Sequence, residues 1–198
     1  TLEPTAALQA GIVYDDFNNA LFDGSIDPSK WQQSGRDSNV VMVQQNGELV
    51  VGVTPAPAML NGGLTTVPII LQSPTFIEMR VKASADRVGA RFGTVIQFLV
   101  RELAWQGHCG ILDSGSSPSV YCNINSKGLD ECQRNVPAVY DKWYTVRILI
   151  DPDEFTVTYF VDGQRLGACI PSQADRLKQA SFRREVFFWT DPDSGGTM

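Results

Sequence analysis

Two carboxylates spaced i, i+2 on a strand point the same way, and a pair held about 5–5.5 Å apart can cleave a glycosidic bond. Asp151/Asp153 and Asp191/Asp193 have that spacing. Each pair brackets a proline, Pro152 or Pro192, so each reads as a turn. Glu102 stands alone in Val100-Arg101-Glu102-Leu103-Ala104-Trp105, because neither Val100 nor Ala104 titrates. Glu78, within Phe76–Lys82, reads as a surface or sheet-paired residue. His108 is the single histidine, and Cys109, Cys122 and Cys132 contain no Cys-x-x-Cys pair, so no zinc set forms. There is no Gly-x-Ser-x-Gly, and Ser114–Ser119 reads as a loop. No phosphate-cradling glycine loop follows a strand.

What remains is binding chemistry. Aromatic rings accept the C–H faces of sugars while polar neighbours take the hydroxyls. Trp105, Tyr121 and Trp189 are the candidate rings, with Gln97 and Arg101 as polar neighbours. Gln97, Leu99 and Arg101 share one face of a strand; Phe98 and Val100 take the other, toward a core. The competing assignment puts Trp31 and Trp143 in the core, and Trp105 and Trp189 in the core or an interface.

The elements that must position these residues are strands. Tyr144, Val146, Ile148 and Ile150 alternate, as do Phe155, Val157, Tyr159 and Val161, with Asp151–Glu154 turning between them and Asp162-Gly163 turning after. Further strands are expected near Gly11–Phe17, Val40–Gln44, Leu49–Thr54, Leu64–Leu71, Thr75–Ala83, Phe92–Arg101, Val120–Asn123 and Val186–Thr190. Asn46-Gly47 is the clearest hairpin turn. One short helix is expected near 172–180, where Ser172 could cap and Ala174, Leu177 and Ala180 share a face. The fold class is all-β: two packed antiparallel sheets in a jelly-roll sandwich.

Composition sets the bounds. A chain of 198 residues with 43% hydrophobic residues can bury one sizeable core. Residues 1–10 read as linker and 11–198 as one domain. The net charge is −6. With no basic stripe in the sequence, nucleic acid and anionic membrane surfaces are disfavoured as partners. No apolar run reaches the roughly 20 residues that cross a bilayer, so membrane insertion is not expected. The four cysteines, Cys109, Cys122, Cys132 and Cys169, are expected to form two disulfides in an oxidising compartment. Cys109 and Cys122 would face each other in a hairpin turning at Asp113–Pro118, and Cys122 and Cys132 in one turning at Ser126–Gly128. Both pairings stay open.

The order of segments resembles the concanavalin A-like lectin/glucanase superfamily, in its laminin-G-like and laminarinase-like branches. The matching residues are Asp15-Asp16-Phe17, Leu21–Trp31, Asn46–Val51, Phe76–Lys82, Lys142–Ile148 and Phe160–Gly163. The resemblance covers about Gly11 to Trp189. It implies a sandwich whose concave face binds or cleaves glycans in many relatives. It also implies a last strand carrying an Asp, which this order of segments leaves out. The enzymatic branch carries Glu-x-Asp-x-Glu on one strand, and no such triplet occurs here. In the laminarinase-like branch a structural calcium is held by an acid of the first strand, a carbonyl of the Asn-Gly turn and that last Asp. Asp16 and Gly47 match the first two positions, leaving the site incomplete.

The sequence therefore leads to an expectation of a non-catalytic recognition module, extracellular, cell-surface or periplasmic. Its concave face would bind carbohydrate through Gln97, Arg101, Trp105, Tyr121 and Trp189. The alternative is a structural or protein-interaction domain that docks a neighbouring domain. The second alternative is a diverged glycoside hydrolase.

Overall fold

The computed structural model describes residues 14–34, 40–53, 60–66, 69–70, 73–83, 91–100, 105–113, 117–126, 129–175 and 181–191. It is an antiparallel β-sandwich. The strands are β1 (Gln32–Ser34), β2 (Val40–Gln45), β3 (Glu48–Val53), β4 (Leu60–Thr65), β5 (Ile69–Ile70), β6 (Thr75–Val81) and β7 (Arg91–Val100). Then come β8 (Trp105–Asp113), β9 (Pro118–Ser126), β10 (Leu129–Pro137), β11 (Tyr144–Asp151), β12 (Thr156–Val161), β13 (Gln164–Cys169) and β14 (Ser181–Asp191). The large sheet runs β1-β4-β14-β7-β8-β9-β10, with β5 also on β14. The small sheet runs β13-β12-β11-β6, and β2-β3 form a separate hairpin.

Alternation decides which face is buried. Val146, Ile148 and Ile150 on β11, with Val157, Tyr159 and Val161 on β12, turn inward against Ile96, Phe98, Ile111, Val120 and Ile124 of the large sheet. Phe155 departs from this pattern: it sits in the turn before β12 with φ 56° and is 36% exposed. The β2-β3 hairpin continues the second layer, packing Val40 and Met42 on Leu64 of β4. Its turn is Asn46-Gly47, both at positive φ (54° and 75°), as a two-residue hairpin of the favoured twist requires.

Three expected elements differ. Residues 14–17 form no strand; the segment 14–31 instead lies against β2, with Gly24 N–H donating to the Gln44 carbonyl and Gln44 N–H to the Ser25 carbonyl. The helix expected near 172–180 is a turn in its described part: Ser172 does not cap it, since its N–H and hydroxyl both donate to Glu131 at 2.8 Å. Residues 176–180 lie outside the described residues. Strand β14, expected as a short segment, is eleven residues long and sits mid-sheet between β4 and β7.

Two disulfides staple the sandwich. Cys109–Cys122 joins adjacent strands β8 and β9, which is one of the two pairings left open by the sequence. Cys132–Cys169 joins β10, the edge of the large sheet, to β13, the edge of the small one. The second bridge is between sheets rather than within a hairpin, and sequence spacing had offered no sign of it. All four thiols are used. Such bridges form and persist in oxidising compartments. Among the described residues, no helix is long and apolar enough to cross a membrane.

Candidate glycan-handling face

One face of the large sheet packs on the core; the other turns away from it. Ladder register places Thr65, Glu185, Gln97, His108 and Asn123 directly opposite one another on β4, β14, β7, β8 and β9. These residues alternate with Leu64, Val186, Ile96, Cys109 and Cys122, which face the core. They therefore form one polar row on the outer face, about 19 Å long at the usual strand spacing. The Cys109–Cys122 bridge lies beneath it and pins β8 to β9 where His108 and Asn123 stand.

Most of the row is buried, and hydrogen bonds tie its members to one another or to flanking residues. Thr65, Glu185, Gln97 and Asn123 are each under 7% exposed. Gln97 Nε2 donates to Glu185 Oε2, and Gln97 Oε1 accepts from Gln106 Nε2 at 2.9 Å. Asn123 Nδ2 donates to Asp130 Oδ1 at 2.8 Å and to the Tyr121 hydroxyl at 3.0 Å. Asn125 and Gln133 also donate to Asp130. Asn123 Oδ1 is buried without a partner. Buried polar atoms are ordinarily satisfied, and exceptions collect where a protein binds something. Burial pushes the His108 imidazole down to about 4, with Asp130 pulling the other way. It is therefore neutral at pH 7. Burial likewise raises the Tyr121 phenol above its ordinary value.

A second row runs beside the first. Gly63, Phe187, Val95, Gly110 and Tyr121 are successive ladder partners across the same five strands. Phe187 and Tyr121 are thus rings three strands apart with only Val95 and Gly110 between them. The His108 and Tyr121 ring centroids are 5.6 Å apart. A polar row beside an apolar lane with aromatic ends suits a ligand with hydroxyls on its edges and C–H on its faces.

The residues expected from sequence divide. Gln97 and Tyr121 stand on this outer face. Trp105 does not: it is 2% exposed on the core face, because β8 pairs it with Val100 and puts it in line with Cys109 and Ile111. Of Trp189 only the backbone is described, opposite Gly93 and Asn61. Arg101 and Glu102 lie outside the described residues. Sequence reasoning missed Glu185, His108 and Asn123. Glu185 follows two arginines, Arg183 and Arg184, and nothing in that local context marks it as buried.

The carboxylates do not form a hydrolytic pair among the described residues. Asp130 is four strands from Glu185, about 19 Å away. Asp113 is buried and its carboxylate accepts from Tyr140 at 2.7 Å. Asp151 caps its own turn, accepting from Asp153 N–H at 2.9 Å and Glu154 N–H at 3.1 Å.

Asp16 and Gly47 meet through Asn18. Asp16 accepts from Asn18 N–H at 3.2 Å, a bond that holds its carboxyl below the ordinary carboxylate range. The Asn18 amide oxygen fills the space where a Cβ on Gly47 would go. Neighbouring Asp15 is taken by Lys30 Nζ at 3.0 Å and Trp31 Nε1 at 2.6 Å. Calcium takes six to eight oxygens. Among the described residues no group of three His, Cys, Asp or Glu could hold a metal. Asp16 and the Gly47 carbonyl by themselves fall short of that number of oxygens.

No family profile matches the chain, and no curated protein is similar to it in sequence. Solved structures are similar to it in fold. A laminarinase from Flavobacterium sp. UMI-01 superposes with TM-score 0.63 at 14% identity, over 92% of this chain and 89% of that one. SCLam, a non-specific endo-β-1,3(4)-glucanase from family GH16, gives 0.62 at 13%, over 92% and 81%. The carbohydrate recognition domain of Emp46p gives 0.56 at 15%, over 84% and 82%. The likeness is one of fold. It overturns the expectation, drawn from the missing triplet, that the chain is no enzyme, for the shared frame is that of glucanases. The chain shares its antiparallel β-sandwich fold with these two glucanases and this carbohydrate recognition domain.

Proposed function

We propose that the protein is a diverged glycoside hydrolase that handles a β-linked glycan along the outer face of its large sheet. The in-register row Thr65–Glu185–Gln97–His108–Asn123 carries this reading. Four of its five residues are buried polar side chains on the face opposite the core, and Asn123 Oδ1 among them has no hydrogen-bond partner. Phe187 and Tyr121 would stack on sugar faces, while Gln97, Gln106, Asn123 and Asn125 would take hydroxyls. Glucanase and lectin folds among the solved structures support the ligand class.

Glu185 is the proposed nucleophile. Gln97 donates a hydrogen bond to it from the neighbouring strand, which fixes where the carboxylate points. Attack at the anomeric carbon would form a glycosyl–enzyme ester as the leaving oxygen takes a proton, and water would then hydrolyse the ester. The sequence candidate for the proton donor is Glu102. Extracellular placement is part of the proposal and rests on the two disulfides.

The test is release of reducing ends from β-1,3-glucan, mixed-linkage β-1,3(4)-glucan and β-galactan. The wild type should turn over at least one, and E185Q and E102Q should each lose at least about a hundredfold. No turnover on the whole panel, or turnover that survives E185Q, would contradict the proposal.

A further inference from the structure

The opposite side of the molecule carries a different surface. On the outer face of the small sheet, Arg80 and Lys82 stand two residues apart near the end of β6, both exposed. Trp143, just ahead of β11, lies half-buried between them: Arg80 Cζ is 5.1 Å and Lys82 Nζ 4.9 Å from its ring centroid. Lys142 is exposed beside it, with its ammonium 4.6 Å from the Tyr144 ring and 3.8 Å from Asp162. Arg147 follows on the same face, paired with Glu78 at 2.6 Å. Among the described residues no carboxylate pairs with Arg80 or Lys82. Two exposed cations stacked on a tryptophan, with no acidic partner among the described residues, stand out on a chain of net charge −6. The segments that converge here, 80–82 and 142–147, lie sixty residues apart in sequence. That is why no basic stripe is visible in the chain itself.

We infer that this face binds a linear anionic polysaccharide, one whose sugars carry carboxylate or sulfate. The two cations are spaced about 6.8 Å along the strand and can meet successive acidic groups. The exposed part of the Trp143 ring between them offers a surface for a sugar's C–H face. The cations favour an acidic chain over a neutral one, and the ring favours a sugar chain over other polyanions. The overall negative charge opposes general adhesion to polyanions, so recognition has to be local. Duplex DNA gains its affinity from many phosphate contacts at once, which two cations do not supply. The inference stands apart from the proposed hydrolysis, since none of these residues lies on the large sheet.

The test uses the whole chain. Binding is measured by Trp fluorescence and calorimetry against dextran sulfate, polygalacturonate, uncharged dextran, a duplex DNA and phosphatidylserine vesicles. Binding to one or both acidic polysaccharides is expected, and which of the two binds distinguishes sulfate from carboxylate. That binding should weaken as salt is raised and fall at least tenfold in R80Q/K82Q. An unchanged melting temperature in that variant would show that it is folded, and unchanged turnover of neutral glucan would separate the two faces. Equal binding to uncharged dextran, equal binding by the folded R80Q/K82Q variant, or preference for DNA or vesicles would overturn the inference.

Discussion

The two outer faces of the sandwich use polar residues in opposite ways. On the large sheet the polar row is mostly buried, bridged across strands by the Gln97–Glu185 hydrogen bond, and free of lysine and arginine. On the small sheet the polar groups are exposed, largely cationic, and tied by stacking on Trp143 and Phe76 and by the Arg147–Glu78 pair. A buried polar row keeps its geometry only if each member holds its neighbour, so it can orient a ligand's hydroxyls. An exposed cation keeps no fixed geometry but can meet any anion within reach. The first arrangement suits selection among neutral sugars and the second suits capture by charge.

The comparison can be broken at the core that separates the faces. Val157 is 1% exposed against Ile148 and its neighbours. Val157→Asp buries an unpaired charge and should cost about 4 kcal/mol or more, read as loss of the native urea transition. If the variant melts like wild type, the inward assignment of β12 fails.

Within the large sheet, Gln97→Leu keeps the volume and removes the bonds to Glu185 and Gln106. Loss of a buried bond to a charged group should cost about 2–3 kcal/mol, measured by urea denaturation. Arg80→Gln on the small sheet should cost under about 1 kcal/mol, the worth of an exposed cation–π contact. Equal costs for the two would erase the distinction between the faces.

The histidine sharpens it further. In the folded protein His108 titrates near 4, below its ordinary value of 6.5. Between those pH values the unfolded chain binds a proton that the folded one refuses, so stability falls as pH drops from about 6.5 toward 4. The loss should be at most about 3 kcal/mol and then level off. His108→Gln should flatten that portion of the pH–stability curve. Lys30 should act at the other end of the scale: the Asp15 hydrogen bond raises its pKa, so its contribution holds below about 10.5 and fades only above.

Some of this was legible in the sequence because it was local. Strands β11 and β12 show strict alternation, and the Asn46-Gly47 and Asp162-Gly163 turns sit between paired strands. Strand β8 was not legible. Gly107 and Gly110 interrupt its apolar pattern, and Gly107 is needed because the Phe98 ring lies where its Cβ would be. Strand β10 was hidden by its charged run, Leu129-Asp130-Glu131-Cys132-Gln133-Arg134, broken by a bulge between Glu131 and Arg134. Gln97 could be assigned to a face from its own strand. Its neighbours in the row could not, because Glu185 is 88 residues away in sequence. Rows across a sheet are set by long-range register, and alternation along one strand says nothing about which residue stands opposite.

The lone histidine is also a built-in reporter for the central claim. In the E185Q protein, which should bind without cleaving, the single imidazole C–H signal can be followed by NMR during titration with a β-glucan oligosaccharide that the wild type turns over. A glycan lying along the polar row must pass His108, so the account predicts a saturable shift of that signal, with R80Q/K82Q giving the same curve in the E185Q background. Saturating binding that leaves the His108 signal unmoved would place the glycan elsewhere and contradict the account.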